Sequence, residues 1–191
     1  KARGYGLIAT GDMGIGNTTT SSAVASVLLN RPVEEMTGRG AGLSSEGLNR
    51  KVTAIRKAIE KHQPDPEDPI DVLAKVGGLD IAGMTGVFLG GAALGVPVVI
   101  DGFISCVSAL IAQRICPVAG DYMIASHVSK EPAARLILKS LGKEAVLHGD
   151  MCLGEGSGAV ALFPFIDMGV AVYQSMSTFD EIHVEQYEEL V

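Results

Sequence analysis

The 191 residues include 24 glycines, no tryptophan and a formal net charge of −7, enough chain for one core and one main body. The acidity is uneven: Asp180, Glu181, Glu185, Glu188 and Glu189 close the chain with no Lys or Arg, leaving 15 basic against 17 acidic residues before them, or −2. A near-neutral body without a basic face excludes a nucleic-acid partner.

Cys106, Cys116 and Cys152 show no CxxC spacing, and the four histidines at 62, 127, 148 and 183 are scattered. They read as reduced, mostly buried thiols of a cytoplasmic protein, and no metal-binding spacing stands out. The longest uncharged run, Ile81 to Ile100, is broken by five glycines and Pro97. It reads as a buried helix followed by a buried strand, with no membrane partner.

In chain order, the apolar Leu7-Ile8-Ala9-Thr10 leads into Gly11-Asp12-Met13-Gly14-Ile15-Gly16-Asn17-Thr18-Thr19 and then a helix from Ser21 to Leu29. Strand, glycine turn and helix start in direct succession point backbone N–H groups and a helix dipole at one spot, which favours an anion such as phosphate. Gly11 and Gly16 have P-loop spacing, but Asn17 stands where the phosphate-binding lysine belongs, and the dinucleotide fingerprint fails at Thr19. NTP hydrolysis is therefore not expected.

A second glycine loop, Thr37-Gly38-Arg39-Gly40-Ala41-Gly42, precedes the N-cap candidates Ser44-Ser45 and a helix to about His62. Leu48, Val52, Ile55 and Ile59 share one face of that helix, with Lys51 beside the stripe. Lys51 either snorkels to water or reaches back to an anion held by the two loops. Pro97-Val98-Val99-Ile100 reads as a buried parallel strand ending in Asp101, placed either at the ligand edge of the sheet or as a cap for a helix over Phe103 to Arg114. Asp121 to His127 repeats strand and polar end; His127 reads as structural, and a helix follows Ser129 to about Leu141. In Leu153-Gly154-Glu155-Gly156-Ser157-Gly158 the carboxylate is walled by glycines. Poorly solvated there, it would serve as a base near neutrality; the other reading is a solvent-exposed loop Glu. An apolar helix from Pro164 to about Thr178 closes the pattern.

The alternation of elements gives an α/β fold: an open, mostly parallel, Rossmann-like sheet with helices on both faces. The expected division is a nucleotide-binding α/β domain over 1–165 and a helical segment over 166–191.

Together these stretches resemble the nicotinate-nucleotide–dimethylbenzimidazole phosphoribosyltransferase family. The resemblance rests on the 11–19 turn, Thr37 to Leu43 with Lys51, Val98 to Ile104, Ser126-His127-Val128-Ser129-Lys130-Glu131-Pro132, Leu153 to Ala159 and Met176 to Phe179. It implies transfer of phosphoribose from nicotinate mononucleotide to a benzimidazole-type base, without metal or cofactor, in a cytoplasmic homodimer. It implies Glu155 as catalytic base and Gly14, Gly40, Gly42 and Lys51 as the phosphate site. Asp12, Ile15, Gly16, Asn17, Thr18, Asp101 and Ser129 are implied near ribose, nicotinate or base, with Met13 and Leu153 walling the base pocket. Three positions depart from the family's pattern: Asp12 replaces a Glu, Cys152 replaces an Arg, and no Gly-His pair follows Pro132. Family members are nearly twice as long, so the chain is expected to be the C-terminal part of a longer protein, lacking the first strands and part of the base pocket. The other reading is a catalytically inactive or regulatory nucleotide-binding fragment of the same fold.

Overall fold

The computed structural model describes residues 1–185, so Glu188 and Glu189 of the acidic end lie outside the described residues. Three short parallel strands form one sheet in the order β1 (Ile8–Ala9), β2 (Val98–Ile100), β3 (Met123–Ala125). Ile8 pairs with Val98, while Val98, Val99 and Ile100 pair with Met123, Ile124 and Ala125. The ladder runs one residue beyond the strands: Thr10 donates to Val99 O at 3.0 Å and Ser126 to Ile100 O at 3.1 Å. Thr10, Asp101 and Ser126 therefore stand at one carboxyl edge, where open parallel sheets bind ligands.

The sequence dictates this sheet simply. Val98, Val99 and Ile100 are fully buried, as a β-branched run in the middle of a parallel sheet should be. Directly after β2 comes α6 (Phe103–Ile115), buried continuously from Phe103 to Ala112. Cys106 is buried there, but Cys116 and Cys152 are exposed, against the mostly buried placement expected of the thiols. One follows the end of α6, and the other lies in the irregular stretch before the last described helix. The α5 helix (Leu79–Leu94) behaves differently from expectation. Only Ile81, Thr85, Phe88 and Gly91 are buried, a single stripe, so the helix is one-faced rather than buried all round. Gly91 marks its closest approach: a Cβ there would collide with the Val98 side chain.

Around this layer lie α1 (Thr18–Leu28), α2 (Val33–Met36), α3 (Ser45–His62) and α4 (Pro69–Val76). The caps follow the sequence. Ser44 Oγ accepts from Gly47 N at the start of α3, and Asp68 accepts from Ile70 and Asp71 ahead of α4, which has Pro69 in its first turn. A 3-10 turn over Pro117–Tyr122 leads into β3. Then α7 (Ala134–Ser140) starts later than the sequence implied. Pro132 disfavours helical backbone at Glu131, leaving an irregular arm over 126–133.

The chain divides into two compact units, the first over Lys1–Ala161 and the second from Leu162. The α8 helix (Ser157–Ser175) begins seven residues before the expected Pro164, which it tolerates internally. Among the described residues it is the one helix long and apolar enough, by length and composition, to cross a membrane. Its first turn falls within the first unit and is bonded there to the end of β2.

Candidate active site

Each sequence-marked element delivers its polar end to one cleft of about 600 Å³ at the carboxyl edge of the sheet. Asp12, Met13, Gly14, Ile15 and Thr18 come from the first glycine turn, and Gly40 from the second. Asp101 comes from the end of β2, Ser129 from the arm after β3, and Leu153 and Glu155 from the stretch before α8. Gly16, Asn17, Gly42 and Lys51 do not line it.

At the first turn, Ile15 N donates back to Met13 O at 2.7 Å, and Gly16 takes a φ of +88° that only glycine adopts freely. The α1 helix then starts with no side chain capping it and no acidic residue in its first turn. Its N-terminal amides and dipole thus remain available to an anion. Asn17 does not serve that end. Its Nδ2 donates to Asp12 Oδ2 at 2.7 Å and to Asp80 Oδ2 at 2.8 Å, tying the turn to α5. Burial pushes the Asp12 carboxyl above its usual range; the Asn17 bond opposes this, and the carboxylates of Asp80 and Asp101 reinforce it.

Lys51 departs from the solvated placement expected of most lysines. It is 6% exposed, on the buried α3 face between Gly47 and Ile55. Its Nζ donates to Thr18 Oγ1 at 2.9 Å and to Gly38 O at 3.0 Å, joining the two glycine turns from behind. Burial lowers its pKa, and the Glu131 carboxylate offsets part of that shift.

Glu131 is the residue that sequence reasoning left without a role. One carboxylate oxygen accepts from Gly40 N at 3.0 Å; the other is buried without a partner. A Cβ on Gly38 would collide with this carboxylate, so glycine there is what admits it. The second turn therefore binds an anion already, supplied by the protein itself. The one signal in the sequence was an acidic residue standing directly before Pro132 in the segment after β3.

Glu155 occupies the middle of a three-residue left-handed turn, with φ of +75°, +58° and +78° at Gly154, Glu155 and Gly156. Such backbone is costly for a residue with a Cβ and persists only where its surroundings fix it. Glu155 N donates to Asp12 O at 2.9 Å, and Gly11 packs so closely on Gly156 that no Cβ fits between them. The Glu155 side chain is exposed at the cleft mouth. Its placement is the solvent-exposed one, because the glycines beside it leave it open to water instead of walling it in. Met13, Ile15 and Leu153 are 64%, 74% and 67% exposed around the same mouth, an apolar rim suited to a flat aromatic ring.

Asp101 stands at the ligand edge of the sheet, the first of the two placements weighed on the sequence, and lines the cleft. It does not cap α6, whose first turn has no side-chain cap. Nor is its carboxylate free for a ligand. Oδ2 accepts from Gly156 N at 3.1 Å, and Oδ1 accepts from Gly158 N at 2.9 Å and Ala159 N at 3.1 Å. It caps α8, 55 or more residues away. His127 is 2% exposed beside it, with Nδ1 3.0 Å from Ser126 Oγ. Burial lowers the His127 pKa, and the Asp101 carboxylate partly restores it.

Uncapped amides at the α1 start and the Glu155 carboxylate share this cleft, with the buried Lys51 cation behind the two glycine turns, and they define a class: an α/β protein with a cleft that favours an anion. Comparison narrows the class. A family model described as Phosphoribosyltransferase (DBI_PRT) matches residues 1–184, and the chain belongs to this phosphoribosyltransferase family. A nicotinate-nucleotide–dimethylbenzimidazole phosphoribosyltransferase of Ruminiclostridium cellulolyticum is 52% identical over 190 residues, covering 100% of this chain and 54% of the relative. The protein of the same name from Acetivibrio thermocellus is 50% identical over 97% of this chain and 53% of its own length. The crystal structure of CobT from Thermus thermophilus superposes with a TM-score of 0.90 at 40% identity, over 97% of this chain and 55% of that one. The chain thus spans about half the length of the relatives it matches.

Proposed function

We propose that this chain forms the nucleotide-binding and catalytic half of an enzyme transferring phosphoribose from nicotinate mononucleotide to 5,6-dimethylbenzimidazole or a related base. The products are an α-ribazole 5′-phosphate and nicotinate, within cobalamin biosynthesis. The observation that carries the reading is the convergence of both glycine turns and Glu155 on one cleft in a chain of this family.

The chemistry asks little of the protein. In the mononucleotide the pyridinium nitrogen is cationic, so when the bond to the anomeric carbon breaks, its electron pair neutralises the ring and no general acid is needed. The lone pair of one azole nitrogen forms the new bond from the opposite face, giving the α product. The proton on the other nitrogen passes to the Glu155 carboxylate. What remains is positioning and charge: the phosphate lies on the amides of Gly14 and the α1 start, with Lys51 supplying positive charge from behind Thr18 and Gly38. If the phosphate takes the Gly40 amide as well, it displaces Glu131. Ser129 and Asp12 lie near the sugar and nicotinate, and Met13, Ile15 and Leu153 wall the base. In the longer protein the three strands belong to a wider Rossmann-like sheet, assembled as a cytoplasmic homodimer. Sedimentation of the purified protein tests the dimer directly.

The test is nicotinate release from nicotinate mononucleotide in the presence of 5,6-dimethylbenzimidazole. Glu155→Gln is expected to lower kcat by at least about 100-fold, the scale of general-base loss, while mononucleotide affinity changes little. Tight mononucleotide binding with no release by either form supports the inactive fragment instead.

A further inference from the structure

We propose that Asp101 is the positioning residue of this site, acting on the reaction through the Glu155 turn rather than through substrate. The inference rests on the phosphoribosyl-transfer reading and extends it to a residue that touches no reacting atom.

Asp101 is 1% exposed at the carboxyl end of the central strand, which is paired on both sides. From there both of its oxygens are committed to backbone amides immediately after Glu155: Gly156, Gly158 and Ala159, at 2.9 to 3.1 Å. The opposite side of the turn is held by Glu155 N on Asp12 O. Left-handed backbone at a residue with a Cβ needs such two-sided restraint. The fit around the carboxylate is close. A Cβ on Gly158 would overlap the His127 ring and come within 3.0 Å of Asp101 Oδ1. Without this clamp the α8 start and the turn before it have no other side-chain cap among the described hydrogen bonds, and Glu155 loses its fixed aim. A base misplaced by about an ångström loses on the order of 100-fold in rate.

Asp101→Asn is the informative variant. In either orientation of the new amide, at least one of the three N–H groups faces an NH2 instead of an acceptor. The expected result is a kcat for nicotinate release lower by about 10- to 100-fold, with KM for nicotinate mononucleotide within about twofold. In the Glu155→Gln background the same change adds little, because a positioning residue has nothing left to position. Gly158→Ala, which pushes the α8 start off the carboxylate, should reproduce the split. Independent of any variant, hydrogen exchange in the unaltered chain should find the amides of 156, 158 and 159 strongly protected. Unprotected amides there, or Asp101→Asn turning over at the wild-type kcat, overturn the positioning role while phosphoribosyl transfer stands. No nicotinate release by the wild-type protein overturns both.

Discussion

Lys51 shows how a single side chain sets the character of this site. A lysine on the buried face of an amphipathic helix usually extends to water, yet here it ends on Thr18 Oγ1 and Gly38 O, its charge faced by Glu131. Replacing it with methionine keeps the stem and removes both charge-assisted bonds, each worth about 1.5–3 kcal/mol. Lys51→Met should therefore raise the KM for mononucleotide by about tenfold or more, measured by nicotinate release across substrate concentration. An unchanged KM would assign Lys51 to folding alone. Lys51 could not be placed from the sequence, because Leu48, Val52 and Ile59 mark the same helix face whether or not the lysine folds inward. The partners of Asp101 were illegible for a related reason, although its place at the sheet edge was not. Its partners are backbone amides across 55 residues of chain, and backbone amides leave no trace in a sequence.

At the scale of elements, glycine carries two opposite meanings that spacing alone does not separate. Gly11 ends β1 against the backbone of Gly156. Gly11→Ala should destabilise by about 1–3 kcal/mol, as overpacking does, and should reduce turnover further by moving the Glu155 turn. Gly90, inside α5, has open space where a Cβ would go. Gly90→Ala should stabilise by about 0.5–1 kcal/mol through helix propensity. Urea unfolding of the two variants checks both signs; equal effects would refute the contact-based distinction. The strand ends, both glycine turns and the α3 cap were legible because each is a local pattern of apolar run, turn residue and cap. The start of α8 was not. Its cap is remote, and Ser157 was overshadowed by Pro164, which a helix already in progress tolerates here.

Across the whole molecule, the buried titratable groups set a pH response. His127 is held below its ordinary 6.5 mainly by burial, so on acidification the unfolded chain takes that proton first. Stability is full above about 6.5 and falls as pH drops from there to the lowered folded value. Asp12 has the opposite sign in a lower window. Its folded pKa is raised above 3.8 by burial, so the folded chain protonates first and regains stability between that raised value and 3.8. Unfolding free energies at about pH 7.5 and 5.5 should show the loss, and His127→Gln should flatten it. A slope unchanged by that variant would locate the proton elsewhere.

On the proposed function, one sugar phosphate is held by the first glycine turn and the α1 start, with its anomeric carbon turned toward Glu155. Crystals grown with nicotinate mononucleotide test this most directly. The expected result is phosphate density against the amides of Gly14 and the α1 N-terminus, within reach of Lys51 through Thr18, and the Glu155 carboxylate on the face opposite nicotinate. Mononucleotide bound away from those turns, or with nicotinate lying between Glu155 and the sugar, would contradict it.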